Sequence, residues 1–190
     1  LHCSRGLHYL SLGEYYFENR DWKKAEANYR RVLEIRTARL YSFALYKIGW
    51  CFYRQGRVDA AIKTLEQVIS HSRKQMEVSR SQGLKAVNRI RLASEALKDI
   101  VPFYADIRDY KEAKEYFDEL AGDKASFTLL ERLAYVYSDS GKQEAARFIF
   151  KQILSIRPTA PKAFDYQLQI VQNYSSKGSR DIYRQELFNW

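Results

Sequence analysis

Hydrophobic residues along this chain return at intervals of three and four positions, the spacing of a helix with one buried face. Each such run is followed by a short polar stretch and then by a second run of the same kind. Four segments with this organisation align position by position: residues 9–33, 45–69, 97–121 and 130–154. The pattern predicts pairs of α-helices joined by short turns and repeated along the chain.

Several aligned positions keep the same class of residue in all four segments. Each segment has a small or β-branched residue, an aromatic residue three positions later, and then, beyond a short turn, an alanine followed after four positions by a large residue. In order, these sets are Gly13, Gly49, Val101, Ala134; Tyr16, Phe52, Tyr104, Tyr137; Ala25, Ala61, Ala113, Ala146; and Tyr29, Leu65, Phe117, Phe150.

Glycine in the middle of a predicted helix needs a reason. Gly49 stands between Ile48 and Trp50, where glycine costs about 1 kcal/mol relative to alanine. We expect the two helices of one repeat to approach closely at this point, with Ala61 of the second helix meeting the glycine. Gly56 falls in the turn between the two predicted helices.

These residues resemble the tetratricopeptide repeat, a helix–turn–helix unit of about 34 residues. The resemblance covers roughly residues 6–158, and Pro158 stands where the family places its closing proline. It implies an all-α fold: a right-handed α–α superhelix of about four repeats plus a C-terminal degenerate or capping helix pair. Gly141, like Gly56, falls at a turn between paired helices.

The repeats are expected to form a single domain over residues 1–190, in a chain that is a piece of a longer protein. The repeat pattern gives approximate boundaries, and a basic helical insertion and a degenerate repeat or cap complete the chain. The repeats are 6–40, 42–73, 94–126 and 127–158, with the insertion at 71–92 and the cap at 161–190, where Gly178 forms the turn.

The insertion follows from the spacing of the repeats. The steps between the four alanines are 36, 52 and 33 residues. Helical spacing continues on both sides of the sequence SQG, so we expect the second helix of repeat two to run forward and the first helix of repeat three to run backward. Pro102 lies inside the latter helix and predicts a kink.

Charge is distributed unevenly along the chain. The net charge is +9, with +10 in residues 1–92 and −1 in residues 93–190. This asymmetry favours an acidic partner: a protein, a nucleic acid or lipid head groups. The cations that concentrate in the insertion are Arg73, Lys74, Arg80, Lys85, Arg89 and Arg91.

The sequence carries no pattern typical of catalysis, of a metal site or of a cofactor site. It has no glycine-rich phosphate loop, no nucleophile elbow and no CxxC. The segment HCSRGLH near the start could be a metal site, but its few ligands do not complete a tetrahedral shell. No apolar run is long enough to cross a membrane. We therefore predict a protein that is not an enzyme and uses neither cofactor nor metal.

The resemblance places partner binding on the first helix of each repeat, in a concave groove. It implies a protein or peptide partner held by residues that packing does not consume. The predicted groove residues are Glu14, Phe17, Tyr46, Lys47, Trp50, Tyr53, Arg54, Lys98, Asp99, Asp106, Arg132, Tyr135 and Asp139. For Trp50 two interpretations remain open: a contact for the partner, or packing against the neighbouring repeat.

One known binding mode of the family does not fit. The carboxylate clamp for chaperone tails needs Lys, Asn and Arg at fixed groove positions, and in one alignment this chain has Leu10, Glu14, Lys47, Glu95 and Asp99 there. A shift by one repeat also fails, because Thr128 and other residues occupy those positions. The resemblance therefore does not predict a chaperone-tail receptor.

Alternatives to protein binding remain. The basic N-terminal half, with aromatic residues nearby, could bind RNA or DNA, the insertion could contact acidic lipid head groups, and the basic stretch could be a solvated surface. The segment ASEALKDIVPFYADI and the repeats after it also resemble tetratricopeptide proteins of envelope-associated motility assemblies in gliding and predatory bacteria. This resemblance implies a periplasmic or outer-membrane-associated scaffold. Oligomeric state is not predicted.

Overall fold

The computed structural model describes residues 2–35, 38–81, 87–175 and 180–188, and this part of the chain is helical without a β-strand. The all-α prediction is confirmed. The helices are α1 (His2–Glu18), α2 (Trp22–Glu34), α3 (Ala38–Arg54), α4 (Val58–Ser81), α5 (Val87–Ile107), α6 (Ala113–Ala121), α7 (Asp123–Asp139), α8 (Gln143–Ile156), α9 (Ala163–Ser175) and α10 (Arg180–Phe188), with a 3-10 turn at Tyr110–Glu112.

The chain divides into two compact units. The first unit is Leu1–Ile107 and contains α1 to α5, and the second unit is Arg108–Trp190 and contains α6 to α10. In the first unit each helix packs on the next one along the chain, and α3 also contacts α1 and α5. In the second unit α6 to α10 likewise pack each on the next.

The four repeats place their shared residues in the core. The alanines of the second helices are completely buried, and the large residue four positions later is completely buried as well. Residues four positions apart lie on the same face of a helix, so the second helix of each repeat buries one apolar face in the core. The residues on these faces are Ala25, Tyr29, Ala61, Leu65, Ala113, Phe117, Ala146 and Phe150.

The glycine positions mark the closest approach of paired helices. A Cβ atom on Gly49 would lie 3.0 Å from Leu65 Cδ2 and 3.6 Å from the carbonyl oxygen of Ala61. A Cβ atom on Gly13 would lie only 2.5 Å from Cε1 of Tyr29. The close approach, with Ala61 next to Gly49, is therefore confirmed, and the nearest atoms to both glycines belong to the large residue four positions after the alanine.

Three hairpin turns share one backbone geometry. Gly56 and Gly141 both have φ +75°, and Arg20 occupies the equivalent place with φ 60°. In each turn the amide of the residue after the left-handed one donates to a carbonyl five residues earlier, at 2.9 Å. This closure uses a left-handed residue, the conformation that glycine adopts most readily, and it explains the predicted turn glycines.

The expected helical extensions are both present. Helix α4 continues to Ser81, and α5 begins at Val87 and packs against α4. Helix α5 continues through Pro102 to Ile107, and the kink expected there stays a prediction. Residues 82–86, including the predicted turn, lie outside the described residues.

The C-terminal helix pair departs from the repeat pattern, as the sequence indicated. Tyr166 and Ile170 of α9 are buried, while Tyr183 replaces the expected alanine on α10 and is half-buried. Glu186 is a buried residue of α10 and pairs with Lys151 of α8. Gly178 and Trp190 lie outside the described residues.

Candidate partner-binding site

The predicted groove residues of α3 are held by α5. The Tyr46 hydroxyl donates to Asp99 Oδ2 at 2.6 Å, and Trp50 Nε1 donates to the same oxygen at 3.2 Å. Farther along, the Tyr53 hydroxyl donates to Asp106 Oδ2 at 2.8 Å. Tyr46 and Tyr53 are seven residues apart on α3, and their acceptors are seven residues apart on α5. Because seven residues make about two helical turns, the contacts recur along one face of each helix.

Phe103 of α5 supports two of these aromatic rings. Phe103 is completely buried, and the Tyr53 ring stacks on it with 3.8 Å between ring centroids and 13° between ring planes. Trp50 meets Phe103 edge to face at 5.2 Å and Tyr53 at 5.9 Å. Trp50 therefore packs against the neighbouring repeat and is half-buried, so part of its ring stays at the surface.

These surroundings keep the tyrosines protonated. Burial, followed by the hydrogen bond to Asp99, raises the pKa of Tyr46 to about 12. Burial, followed by the bond to Asp106, also raises the pKa of Tyr53. Both effects disfavour the phenolate, since a charge would lose water and face a carboxylate. The two hydroxyls remain hydrogen-bond donors at neutral pH.

Lys47, also on α3, connects this helix to α1. Its ammonium lies 2.9 Å from Glu14 Oε2 and 4.4 Å from the centroid of the Phe17 ring. Glu14 also accepts a 2.5 Å hydrogen bond from the Tyr29 hydroxyl. Only 16% of the Lys47 side chain is exposed, so its ammonium group mainly contacts residues of the first unit rather than solvent.

Arg54 lies at the end of α3 between two indoles. Its Cζ atom is 5.6 Å from the centroid of Trp50 and 6.0 Å from the centroid of Trp22, within the range of cation–π interaction. Trp22 in turn meets Phe17 edge to face at 5.1 Å. Arg54 is an exposed residue.

These contacts join residues of three helices into one surface, which we call the aromatic–cation surface. Its members are Phe17, Trp22, Lys47, Trp50, Tyr53 and Arg54. The sequence prediction named all of them except Trp22, which begins α2 directly after the N-cap Asp21. Trp22 was missed because only first helices were considered; its place one residue after an N-cap could have indicated a ring at the helix entry.

Among the other predicted groove residues, Glu14, Asp99 and Asp106 are the partners of surface members described above. Lys98 is exposed on α5 and pairs with Glu95 at 3.3 Å. In the second unit, Tyr135 is half-buried and meets Phe150 edge to face at 5.2 Å, and burial raises its pKa. Arg132 and Asp139 are exposed on α7. No contact in the second unit joins these three into a cluster among the residues that the structure describes.

The basic patch of the insertion is described in part. Arg73 and Lys74 are exposed on α4, and Arg91 is exposed on α5. Lys85 and the side chains of Arg80 and Arg89 lie outside the described residues. The exposed positions are consistent with a solvated basic surface as well as with a binding surface.

Two other findings concern the chemistry that the described residues can support. No group of three or more His, Cys, Asp or Glu side chains among them is arranged to hold a metal ion. None of the described helices combines the length and the hydropathy that a membrane span needs. In the segment HCSRGLH, which the sequence suggested as a possible metal site, the side chains of residues 2–4 lie outside the described residues.

Comparisons with known proteins identify the family. Family profiles described as tetratricopeptide repeat match residues 5–74 and 127–159, which together make up more than half of the chain. No match was found among curated proteins.

Among solved structures, the crystal structure of MamA protein is similar over 96% of this chain and 88% of that chain, with 18% identity and a TM-score of 0.50. BtubC (BKLC) from P. vanneervenii gives 17% identity, coverage of 94% and 78%, and a TM-score of 0.43. A putative kinesin light chain from Podosopora anserina, with nearly identical TPR-like repeats, gives 19% identity, coverage of 100% and 94%, and a TM-score of 0.39. At 18% identity the MamA structure supports the fold alone. With its two profile matches and its repeated helical hairpins, the chain belongs to the tetratricopeptide repeat family.

Proposed function

We propose that this protein is a non-catalytic scaffold that holds a protein or peptide segment on the aromatic–cation surface of its first unit. The fold supports protein–protein interaction in general, because tetratricopeptide repeats typically serve that purpose. The observation that carries the proposal is the cluster of half-buried rings around Arg54. Aromatic residues and arginine are the residue types most enriched among the anchors of protein interfaces.

The surface is held in place before a partner arrives. Trp50 and Tyr53 each bind Phe103 with their rings and a carboxylate with their polar ends. Side chains that are already fixed lose little conformational entropy on binding, which lowers the free-energy cost of association. This fixation favours recognition by a formed surface over recognition by a flexible one.

Charge points to an acidic partner. Residues 1–107 hold 19 Lys and Arg against 11 Asp and Glu, a net charge of +8 out of the +9 of the chain. A unit of this charge attracts acidic partners and speeds their association at low ionic strength. We therefore propose an acidic protein or peptide as the partner.

The first experiment is a pull-down from native lysate after nuclease treatment. It compares the wild-type chain with Phe17→Ala/Trp22→Ala, which removes one ring pair of the surface but leaves Trp50 and its support on Phe103. Val78→Ala is the matched control, since Val78 is a large apolar residue exposed on α4 of the same unit.

The expected result is a protein that withstands nuclease, is retained by wild type and Val78→Ala, and is lost with the double variant. Circular dichroism and the melting temperature establish that the double variant is folded. Equal retention by all three chains would place the partner elsewhere, and retention of nothing by the wild type would contradict the scaffold function.

Nucleic-acid binding is the second candidate. It is supported by the charge of the first unit and by the exposure of Arg73, Lys74 and Arg91. Binding to phosphates weakens steeply with salt because counterions are released. Material that disappears with nuclease, and that depends on Arg73 and Lys74 rather than on Phe17 and Trp22, would favour this function.

A more specific setting is also proposed. The resemblance to tetratricopeptide proteins of envelope-associated motility assemblies supports a setting at a bacterial envelope, with the partner in the same assembly. Fractionation of cells that carry the full-length protein tests this: we expect it with the envelope fraction, and its exclusive recovery with cytosolic markers would contradict the setting.

A further inference from the structure

We infer that Arg54 recognises a carboxylate of the partner, and that the bound segment carries an acidic residue beside a large apolar residue. This inference rests on the proposed function and adds the chemical class of the bound group. Its basis is the way that Trp22 and Trp50 hold the guanidinium at the surface.

Arg54 differs from nearby cations in its contacts. Lys47 pairs with Glu14 at 2.9 Å, and Arg57 pairs with Glu26 at 3.4 Å. For Arg54, within the part of the chain that the structure describes, the close contacts are with the rings of Trp22 and Trp50, without an ion pair or a hydrogen bond to a carboxylate. Its N–H donors therefore remain for a group from outside.

The chemistry of the guanidinium favours a carboxylate. Contact with rings engages the positive charge through the ring quadrupole and leaves the N–H groups as donors. These donors form a planar fork that matches the two oxygens of a carboxylate.

The neighbouring rings define what accompanies the carboxylate. Trp22 continues into Phe17 through their edge-to-face contact at 5.1 Å, and both rings are half-buried. A large apolar side chain of the partner would cover the exposed part of this ring pair while its acidic neighbour reaches Arg54. Successive side chains of an extended peptide point in different directions, so neighbouring residues can contact Arg54 and the ring pair at the same time. The expected motif is therefore an acidic residue close in sequence to an aromatic or aliphatic one.

Phage display of short random peptides on the wild-type chain tests this directly. We expect the retained peptides to share an acidic residue next to a large apolar one. A selected peptide is then synthesised with Glu and with Gln at the acidic position. The affinity of each form is measured for wild type, Arg54→Gln and Arg54→Lys by calorimetry.

The expected pattern is a coupled loss. Arg54→Gln should lower the affinity for the Glu peptide about tenfold or more. Replacing Glu by Gln in the peptide should lower its affinity for the wild-type chain by a similar factor. The two changes together should lower the affinity little more than either change alone. Arg54→Lys keeps the charge but not the fork and should recover only part of the affinity. Lys63→Gln is the matched control, because Lys63 is exposed on α4 of the same unit and its loss lowers the charge equally.

Three outcomes would overturn the inference. Retained peptides without an acidic residue, or peptides that bind Arg54→Gln as tightly as wild type, contradict the role of Arg54 while the scaffold function stands. Full affinity for Arg54→Lys contradicts the two-oxygen pairing. If the wild-type chain retains neither peptides nor a nuclease-resistant protein, both the inference and the scaffold function fail.

Discussion

At the scale of single residues, Gly13 is where the first helix pair is packed most tightly. The Tyr29 ring that faces it is completely buried, and its hydroxyl is tied to Glu14. A ring held at both ends cannot move aside for a new methyl group. Gly49 instead faces Leu65, and the atom nearest to the glycine is Cδ2 at the end of this branched aliphatic side chain.

Gly13→Ala is therefore expected to destabilise the protein by about 1–3 kcal/mol, even though alanine is the better helix former. The cause is a contact of 2.5 Å with the Tyr29 ring. Denaturant unfolding measures the change. Gly49→Leu should also destabilise by about 1–3 kcal/mol, since Leu65 is buried, and an unchanged midpoint for either variant would contradict this packing.

The pKa of Tyr46 predicts a loss of stability at alkaline pH. Its pKa in the folded protein, about 12, lies above the ordinary value of 10.0. The stabilisation by its neutral form is thus complete below about pH 10 and is lost as pH rises toward about 12. Alkaline titration of tyrosinate absorbance should show one fewer high-pKa group in Tyr46→Phe.

The control for this titration is thermal melting of both proteins across the same pH range. Wild type should lose stability more steeply than Tyr46→Phe above about pH 10 because only wild type loses the bond from Tyr46 to Asp99. Parallel melting curves would show that this hydroxyl does not contribute to the pH dependence.

At the scale of elements, α3 is attached to α5 by carboxylates as well as by apolar packing. Asp99 accepts from both Tyr46 and Trp50, so one side chain satisfies two donors of another repeat. Loss of that acceptor leaves both donors without their partner in a half-buried place, which is costly. This contact therefore links the second and third repeats.

Asp99→Ala should accordingly lower the free energy of unfolding by about 1–3 kcal/mol. Glu95→Ala is the control, four residues earlier on α5, because Glu95 forms a surface pair with Lys98 whose contribution is about 0–1 kcal/mol. Tryptophan fluorescence should also shift in Asp99→Ala, since Trp50 loses its acceptor. Equal effects of the two substitutions would contradict the proposed link.

Sequence periodicity was sufficient for the elements and for part of the site. It predicted the paired helices, the turns at Gly56 and Gly141, and the extension of α4 and α5, because each depends on residues close in sequence. It could not show that Arg54 lies between Trp22 and Trp50. Periodicity assigns a side chain to a helix face, whereas this contact depends on how far rings from two different repeats reach.

The same limit explains Trp50. Its place on the groove side of α3 was predicted, but its contact with Phe103 depends on the distance between α3 and α5. The structure confirms the packing of Trp50 against the next repeat, and the residue is still half-exposed, so its contact with a partner stays a prediction. The assignment of the groove residues to partner binding stays a prediction.

At the scale of the whole molecule, the uneven charge predicts how a partner arrives. The first unit carries a net charge of +8, and residues 108–190 carry +1. Long-range attraction of this kind acts before contact, so it changes the association rate more than the dissociation rate. We expect contacts such as a carboxylate on Arg54 to form afterwards and to determine how long the complex lasts.

Stopped-flow mixing of the wild-type chain with a selected acidic peptide measures the association rate and the dissociation rate separately. Between about 50 mM and about 500 mM salt, where the screening length falls below about 10 Å, the association rate should fall several-fold while the dissociation rate changes less. Lys63→Gln should reduce mainly the association rate, whereas Arg54→Gln should mainly speed dissociation. A dissociation rate that carries the whole salt dependence would mean that charge acts only at contact, and the uneven charge would then have no role in bringing the partner to the first unit.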